Sequence, residues 1–490
     1  NAAARGLKHI SEQRPFDEFY RQRLLPRRLN GLGPVLATAD VNGDGHADVF
    51  VSGSAGQAGR LFLGNAEGKF APATSQPWSS DAECDDVGAV FLDLNGDKHP
   101  DLLLVAGGVQ HERGSDKLNN RLYLNDGKGN FTLAGPDVLA PDGESTAAVA
   151  VSDFNGDGRV DLFVGGRVVP GKYPATPRSF LYRNTDGKLV DVTDELAPGL
   201  REIGMVAAAT FADLDGDKRD DLILALEWGS IVYFRNTGRG FENVTDKSGL
   251  AAVTGWWSAL NVVDVDGDGR LDIVAGNVGL NSKYRASAEQ PTVLFAGDFD
   301  GRGRDEIIEA QWAEGALRPL RGRSKLAYSF PWLTKKFPTY KAYAAATIAD
   351  IFDPAHLARV RRLEANELSS GVFRQSSDGK FRFEPLPRLA QLAPINAIVA
   401  EDLDHDGKLD LLVVGNSFAP EPSTGRFDGG LGLLLKGDGR GGFTPVPPAK
   451  SGIVVPGDAR SAVAIRQPNG KTAIAVSRCE GPVLLFTAAE

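Results

Sequence analysis

A nine-residue acidic pattern occurs six times in the chain and constrains its fold more than any other feature. The pattern is Asp, a variable residue, Asp or Asn, Gly (His once), Asp, Gly or Lys, two variable residues, and Asp. Its copies occupy residues 40–48, 93–101, 153–161, 213–221, 264–272 and 402–410. Because the first five copies follow one another at similar intervals, they predict one repeat architecture rather than a set of unrelated domains.

The sequence around each copy predicts a four-stranded unit. Around the first copy, an alternating apolar run (35–40) leads into the acidic loop, a second apolar run (48–52) leads out, and a third run (60–64) ends in a glycine turn. A fourth, shorter run closes the unit in several copies. Four antiparallel strands per unit of this length are typical of a β-propeller blade, so we expect an all-β propeller with the acidic loop between first and second strands.

Counting these units gives the blade number and the domain limits. Lead-in runs near residues 35, 88, 147, 207, 259, 344, 397 and 460 predict eight blades, or seven if two of these units share a blade. Residues 31–490 would form the propeller and residues 1–30 a lead segment. The final unit lacks a fourth strand, which residues 6–10 are suited to supply, closing the ring.

The acidic loops have the oxygen ligands that calcium prefers. Side chains at positions 1, 3, 5 and 9 and the backbone carbonyl at position 7 would surround a hard cation, with water completing the shell. Six copies predict about six calcium sites, and their repetition favours a structural role over catalysis. The predicted ligands are Asp40, Asn42, Asp44, His46, Asp48, Asp93, Asn95, Asp97, His99, Asp101, Asp153, Asn155, Asp157, Arg159, Asp161, Asp213, Asp215, Asp217, Arg219, Asp221, Asp264, Asp266, Asp268, Arg270, Asp272, Asp402, Asp404, Asp406, Lys408 and Asp410.

A seventh loop, residues 298–306, departs from the pattern. Arg302 stands where the position-5 acid is expected, and Glu306 replaces the closing Asp. We expect the guanidinium to pair with the loop's own acids in place of a cation. The unit count puts this loop between the third and fourth strands of the fifth blade.

The repeat resembles the FG-GAP or VCBS repeat of integrin-type β-propellers. Four further phrases, at residues 165–174, 255–258, 276–284 and 335–340, make the chain similar to bacterial VCBS-repeat proteins associated with an ASPIC/UnbV domain. This resemblance implies a calcium-bearing propeller that is secreted or surface-exposed. It implies little about activity, because propellers host binding, scaffolding and catalysis alike.

Charge and composition support an extracytoplasmic location. Six divalent ions would bring the formal charge of −10 close to neutral, and loops of this kind fill at the calcium levels found outside the cytoplasm. No apolar stretch is long enough for a membrane helix. The chain starts without methionine, so we expect that a leader or upstream domain has been removed. Cys84 and Cys479 would fall on neighbouring sides of the first blade, where they either pair or remain free thiols.

The irregular loops lie on the face opposite the acidic loops and are the predicted ligand face. Aromatic residues beside Arg and Lys suit sugars, especially acidic ones. The candidate ligand-binding residues are His111, Arg113, Arg167, Lys172, Tyr173, Trp228, Trp257, Lys283, Tyr284 and Arg285. For Trp256 and Trp257, packing between blades is the simpler interpretation. No sustained basic stripe suggests nucleic-acid binding.

Three functions remain open at this point. The first is a non-catalytic module that binds a glycan or a surface protein, favoured by the absence of catalytic sequence motifs. The second is a polysaccharide lyase: residues 297–306 distantly resemble calcium loops of rhamnogalacturonan lyases, and His111, Tyr173 or Lys283 would act as base. The third is an accessory subunit of a larger surface complex, with the basic segment 14–28 either a docking arm or an ordinary lead into the first blade.

Overall fold

The computed structural model describes residues 2–487, and within them the chain forms eight antiparallel sheets, as predicted. The first three blades are regular. Blade 1 contains β1–β4 (Leu36–Ala39, Asp48–Val51, Arg60–Gly64, Phe70–Pro72), blade 2 β5–β8 (Asp86–Leu92, Asp101–Ala106, Arg121–Asn125, Phe131–Leu133) and blade 3 β9–β12 (Ser145–Ser152, Asp161–Val168, Phe180–Thr185, Lys188–Asp191).

The later sheets are less regular. Blade 4 contains β13–β16 (Met205–Ala212, Asp221–Asn236, Phe241–Asn243, Thr254–Trp256), and its long strand β14 pairs with the other three. Blade 5 begins with β17 and β18 (Ala259–Val263, Asp272–Gly276), is interrupted by an inserted sheet of β19–β22 (Thr292–Gly297, Glu306–Ala313, Ala316–Pro319, Arg361–Ala365), and ends with β23 and β24 (Gly371–Gln375, Phe381–Pro385). Blade 6 contains β25–β28 (Ile395–Glu401, Asp410–Gly415, Leu433–Gly437, Phe443–Val446) and blade 7 β29–β31 (Asp458–Arg466, Thr472–Cys479, Leu484–Thr487).

Seven of the eight sheets form the ring. The first strands contact one another in the order β1, β5, β9, β13, β17, β25 and β29, and β29 returns to β1. The inserted sheet instead lies beside blade 4, where β22 contacts β14 and β16. The ring therefore corresponds to the predicted alternative in which two sequence units share one blade, and the eighth sheet is an insertion into blade 5.

Two sequence units share blade 5 because the segment near residue 344, predicted to be a lead-in strand, is helical. Residues Tyr340–Ala345 form a helix, and a capping box between Thr347 and Asp350 begins the next one. Alanine-rich sequence favours helix over strand, so the apolar run there was misleading. The degenerate loop 298–306 consequently joins β19 to β20 of the inserted sheet, not two strands of a blade.

The helices are short and cluster in the insertion. They are α1 (Glu18–Arg21), α2 (Thr193–Leu196), α3 (Arg323–Ser329), α4 (Leu333–Lys336), α5 (Tyr340–Ala345), α6 (Ile348–Ile351), α7 (Pro354–Leu357) and α8 (Pro448–Ser451). Five of them, α3–α7, connect β21 to β22. Apolar side chains of α3–α6 share one core with the inserted sheet and with Leu24, Leu25 and Leu29 of the N-terminal segment, which we define as residues 11–34.

Strand burial reflects the position of each strand in its blade. The first strand β9 alternates between buried and partly exposed residues, because one of its faces borders the central channel. The second strand β2 is buried throughout, since neighbouring blades cover both of its faces. The core consequently lies between blades; for example, Phe50, Trp78 and Tyr123 pack together between blades 1 and 2.

Contacts between the two ends of the chain close the ring. Apolar residues of blades 1 and 7, including Val49, Ile465 and Ala475, share a core with Leu7. Ile10 forms an isolated bridge with Pro482. The N-terminal residues therefore contact blade 7, as the sequence suggested, but the described residues give that blade only three strands.

Candidate functional site

The first acid of each loop organises the loop backbone. In the loop 213–221, Oδ1 of Asp213 accepts hydrogen bonds from the amides of Gly216 (2.8 Å) and Asp217 (3.0 Å), and Oδ2 accepts one from Lys218 (2.8 Å). Lys218 adopts a left-handed conformation with φ of 69°, at the position that Gly45 occupies in the first loop. The tight turn is therefore held by the same acid that begins the motif.

The closing acid joins the loop to the strands around it. Oδ1 of Asp221 accepts from the amide of Asn236 (2.7 Å), and Oδ2 accepts from the amide of Leu214 (3.0 Å) and from the hydroxyl of Tyr233 (2.9 Å). Burial raises the pKa of this carboxyl to about 6, and does the same for the equivalent Asp48, Asp101 and Asp161. The closing acid thus has a structural role in addition to its predicted role as a ligand.

The donor sets fit a hard cation such as calcium. The acids of three loops approach to within 4.8 Å of one another: Asp213, Asp215 and Asp221; Asp264, Asp266 and Asp272; and Asp402, Asp404 and Asp406. In the first three loops the third position is Asn, whose amide oxygen is an equivalent ligand. Like charges this close repel unless a cation or proton neutralises them.

Neighbouring cations partly neutralise the same acids. The position-7 residues Arg159, Arg219 and Arg270 pair with the position-5 Asp of their own loops. Lys436 contacts Asp404 and Asp406 of the last loop. In the degenerate loop, Arg302 pairs with Asp300 at 3.4 Å, as expected; the side chain of Arg302 is largely exposed and that of Asp300 is mostly buried.

Four of the ten predicted ligand-face residues lie in buried polar networks. Glu227 forms ion pairs with Arg167 and with Arg27 (2.5 Å), and it accepts a hydrogen bond from the hydroxyl of Tyr173 (2.9 Å). The indole of Trp228 donates to that same hydroxyl at 2.7 Å. Burial opposes ionisation of Glu227, but the two guanidinium groups hold its pKa at about 2.

A second network lies under the insertion. Tyr284 donates to Glu309 at 2.6 Å, and Arg321 pairs with Glu309 (2.9 Å) and with Glu421. Burial and Glu309 raise the pKa of Tyr284 far above its usual value. These tyrosines and arginines therefore hold the insertion and the N-terminal segment on the propeller.

The two tryptophans of the 255–258 phrase are also packed. Trp257 is 1% exposed and contacts the rings of Phe373 and Phe383 in blade 5. Trp256 packs edge-on against Trp228 and Tyr284. Trp257 is therefore a core residue in this structure, consistent with the packing interpretation rather than with its inclusion in the ligand face.

The other five predicted ligand-face residues are at least partly exposed, and those that make side-chain contacts have different partners. His111 contacts the carbonyl of Glu83 (3.1 Å), Arg113 binds Glu144 (2.9 Å) and Lys283 binds Thr424 (2.8 Å). Arg285 donates to the carbonyls of Ser282 and Tyr284. Lys172 is exposed beside Tyr173.

The N-terminal segment, which the sequence suggested as a docking arm, lies on this face. Arg14 pairs with Glu83, Arg21 with Glu112 and Arg27 with Glu227. Leu24, Leu25 and Leu29 of this segment are buried, and that apolar content within an arginine-rich run was the sequence signal of intramolecular packing. Sequence reasoning missed this role, and it also missed Glu227, Glu309 and Glu421 as counterions.

A basic cleft remains open between the N-terminal segment, the loop 171–176 and the inserted sheet. Its volume is about 750 Å³. Two of the lining residues are acidic, Asp305 and Glu306. Five are basic, Arg21, Arg23, Lys172, Arg304 and Arg361, and two are tyrosines, Tyr20 and Tyr173. Tyr20 is 81% exposed, so the cleft offers both a ring and several cations to a ligand.

Both cysteines are free thiols. Cys84 is buried and Cys479 is partly buried, and burial raises the pKa of each to about 11. They lie in blades 2 and 7 on the two sides of blade 1, as expected, but they do not form the disulfide that the sequence left open. In residues 2–487, no helix is both long and apolar enough to span a membrane.

Comparison with known proteins identifies the repeat. Residues 40–104, 93–164 and 213–275 match the FG-GAP-like repeat. With seven sheets arranged in a ring, the chain is a β-propeller built on FG-GAP-like repeats. No curated protein matches its sequence.

Several solved structures are similar over almost the whole chain. They include the V. cholerae biofilm matrix protein Bap1 (10% identity, 99% of this chain and 91% of that chain, TM-score 0.40) and BBS1N in complex with ARL6DN (10% identity, 99% and 98%, TM-score 0.43). Sqt1 of Saccharomyces cerevisiae is similar at 12% identity, over 95% and 100% of the two chains, with a TM-score of 0.42.

Proposed function

We propose that this chain is an extracytoplasmic binding module whose loops hold calcium and whose basic cleft takes an acidic glycan. The propeller with FG-GAP-like repeats is a fold suited to interaction. The basic cleft is the observation that carries the ligand proposal, because guanidinium and ammonium groups pair with carboxylate or sulfate while an exposed ring stacks on sugar.

Some cationic side chains of the cleft have few or no hydrogen-bond or ion-pair partners among residues 2–487. Arg304 pairs with Glu306 and Arg21 with Glu112, but Lys172 has no side-chain partner among residues 2–487. Arg23 makes one long contact to the carbonyl of Tyr328 (3.3 Å). Lys172 and Arg23 are therefore the side chains that we expect to contact an anionic ligand directly.

Calcium would have a structural role in this function. When bound, it would neutralise the clustered acids of each loop and fix the link between the first and second strands of the blade. Loop sites of extracellular modules fill at roughly 0.1–1 mM calcium, which supports an extracytoplasmic setting.

The lyase alternative gains no support from the geometry. Its three proposed bases do not share a contact: His111 lies beside Glu83, Lys283 binds Thr424, and Tyr173 is buried against Glu227. Burial and Glu227 raise the pKa of Tyr173 far above 10, which makes its phenolate a poor candidate for a base at neutral pH.

Affinity electrophoresis in calcium, with an acidic and a matched neutral polysaccharide, tests the proposal. We expect retention by the acidic polymer only, without shortening of its chains. The double variant Lys172→Glu/Arg23→Glu should lose most of this retention, whereas Arg382→Glu, on the exposed edge strand β24, should keep it. Shortened chains would make the protein an enzyme, and absence of retention would exclude the glycan and favour a protein partner.

A further inference from the structure

A second cavity lies on the propeller axis, at the end of the channel nearest the N-terminal segment. Its volume is about 290 Å³. Residues at the start of the innermost strands form much of its wall. Many of them are small: Ala147, Ala207, Ala208, Ser258, Ala259, Ala397 and Ser461. Arg27 and Leu32 line it on the side of the N-terminal segment.

The cavity has a marked charge asymmetry. Arg27, Arg167 and Arg460 line it, and none of the lining residues is acidic. Their counterions lie behind them: Glu227 contacts Arg27 and Arg167, and Asp458 contacts Arg460 at 2.7 Å. Three guanidinium groups thus pair with two carboxylates. The next acid near Arg27 is Glu18, and burial raises its pKa to about 7, so the cluster has a net positive charge when Glu18 is protonated.

Two of these arginines also have unused hydrogen-bond donors. Nη1 of Arg167 and Nε of Arg460 are buried and have no hydrogen-bond partner among residues 2–487. The residue Arg167 is 3% exposed and the side chain of Arg460 8% exposed. Burying a charged donor without a partner is costly, so a small side-chain rotation that turned either donor into the cavity would favour an acceptor there that also carries negative charge.

We propose that this axial cavity binds a small oxyanion, of the sulfate or carboxylate class, between Arg27, Arg167 and Arg460. Guanidinium groups match the planar spacing of oxyanion oxygens and bind them through paired hydrogen bonds. Ligand pockets usually begin at about 300 Å³, so a cavity of this size takes a small anion rather than a sugar. The site is separate from the basic cleft and does not depend on the proposed glycan function.

Titration calorimetry with sodium sulfate, in calcium and at constant ionic strength maintained with sodium chloride, tests the site. Sulfate is the probe because phosphate and citrate would bind the calcium of the loops. We expect saturable binding of one sulfate, reduced at least tenfold in Arg460→Gln. The matched control Arg382→Gln removes an exposed arginine from β24 and should bind as the wild type does.

A measurement on the unaltered protein keeps the proposal falsifiable if the variant does not fold. Crystals grown in selenate should show an anomalous peak between the three arginines. An empty cavity in those crystals, or calorimetry without saturable heat, would overturn the proposal. Selenate elsewhere on the surface but not in the cavity would equally count against it.

Discussion

The two faces of the propeller use acidic residues in opposite ways. On the face of the acidic loops, one motif recurs, and in loops such as 213–221 and 264–272 the carboxylates lie close to one another. On the opposite face, buried acids pair with arginines from distant segments: Glu227 with Arg167 and Arg27, and both Glu309 and Glu421 with Arg321. The acids of the first face therefore need an added cation to neutralise them, whereas arginine side chains neutralise those of the second face.

This difference explains why only one face is regular. A loop stabilised by an ion needs the same short set of ligands in every blade, so its sequence repeats. An ion-pair network formed across distant segments needs partners from Arg27 to Glu421, and no local pattern has to repeat. The contrast predicts that the two faces respond to different perturbations.

Chelation of calcium should give the largest loss of stability, and this loss should come from the face of the acidic loops alone. An ion present at 100 times its dissociation constant contributes about 2.7 kcal/mol per site, so loss of several sites should lower the melting temperature markedly. Thermal unfolding in EGTA, compared with excess calcium, measures this. An unchanged melting curve would contradict calcium binding by the loops.

A pair of variants separates the ion from the loop's own hydrogen bonds. Asp215→Ala removes a predicted ligand and only one contact of the loop backbone, with the amide of Asp217 (3.2 Å), and should destabilise the protein more in calcium than in EGTA. Asp221→Asn places an amide nitrogen against a backbone N–H group, which costs about 1–3 kcal/mol, and should destabilise the protein in both conditions.

Loss of the Glu227 charge should give the next largest effect and should act on the opposite face. In Glu227→Gln, Arg167 and Arg27 lose a buried counterion, a change that costs about 3–5 kcal/mol. Urea unfolding measures the free energy of unfolding, with calcium present throughout. The control Glu83→Gln removes the exposed ion pair with Arg14 and should cost less than about 1 kcal/mol. Equal effects of the two substitutions would contradict the assigned role of the buried network.

The smallest effect should come from Glu18 and should depend on pH. Burial raises the pKa of this carboxyl to about 7, while its amide partners Leu29 and Asn30 oppose the shift. The folded state therefore binds this proton more tightly than the unfolded chain does. The contribution of Glu18 to the free energy of unfolding is consequently most favourable below about pH 4.5 and is lost as the pH rises through 7. Glu18→Gln should raise stability at pH 8, by at most about 3 kcal/mol, and should change little at pH 4.5. The same gain at both pH values would show that Glu18 does not titrate in this range.

Local sequence was a reliable guide where local contacts decide the structure. The acidic loops, the flanking strands and the Arg302–Asp300 contact follow from residues only a few positions apart. It was a poor guide around residues 276–385, where the chain leaves blade 5 after β18 and returns at β23. The apolar run near 344 also satisfies a strand pattern, and packing against the inserted sheet acts together with its alanine-rich helix preference to give the helix.

The predicted ligand face shows the same limit. Arg167, Tyr173 and Trp228 have the residue types of a sugar site, and their sequence gives no sign that Glu227 and the N-terminal segment engage them. Partners separated by 54 or more positions cannot be inferred from spacing. Exposure in the fold, not residue type, directs attention to Lys172 and Arg23 instead.

The sequence by itself determined that the chain is a repeat-built β-propeller with loops suited to calcium, because each loop and its two strands are specified within nine residues and their flanks. Only contacts in the folded chain show which sheets form the ring and which arginines pair with buried acids. The same contacts fix the positions of the basic cleft and the axial cavity. Those outcomes depend on contacts between segments far apart in the chain, where burial changes the energy of every charge and only the assembled fold shows which charges lie together.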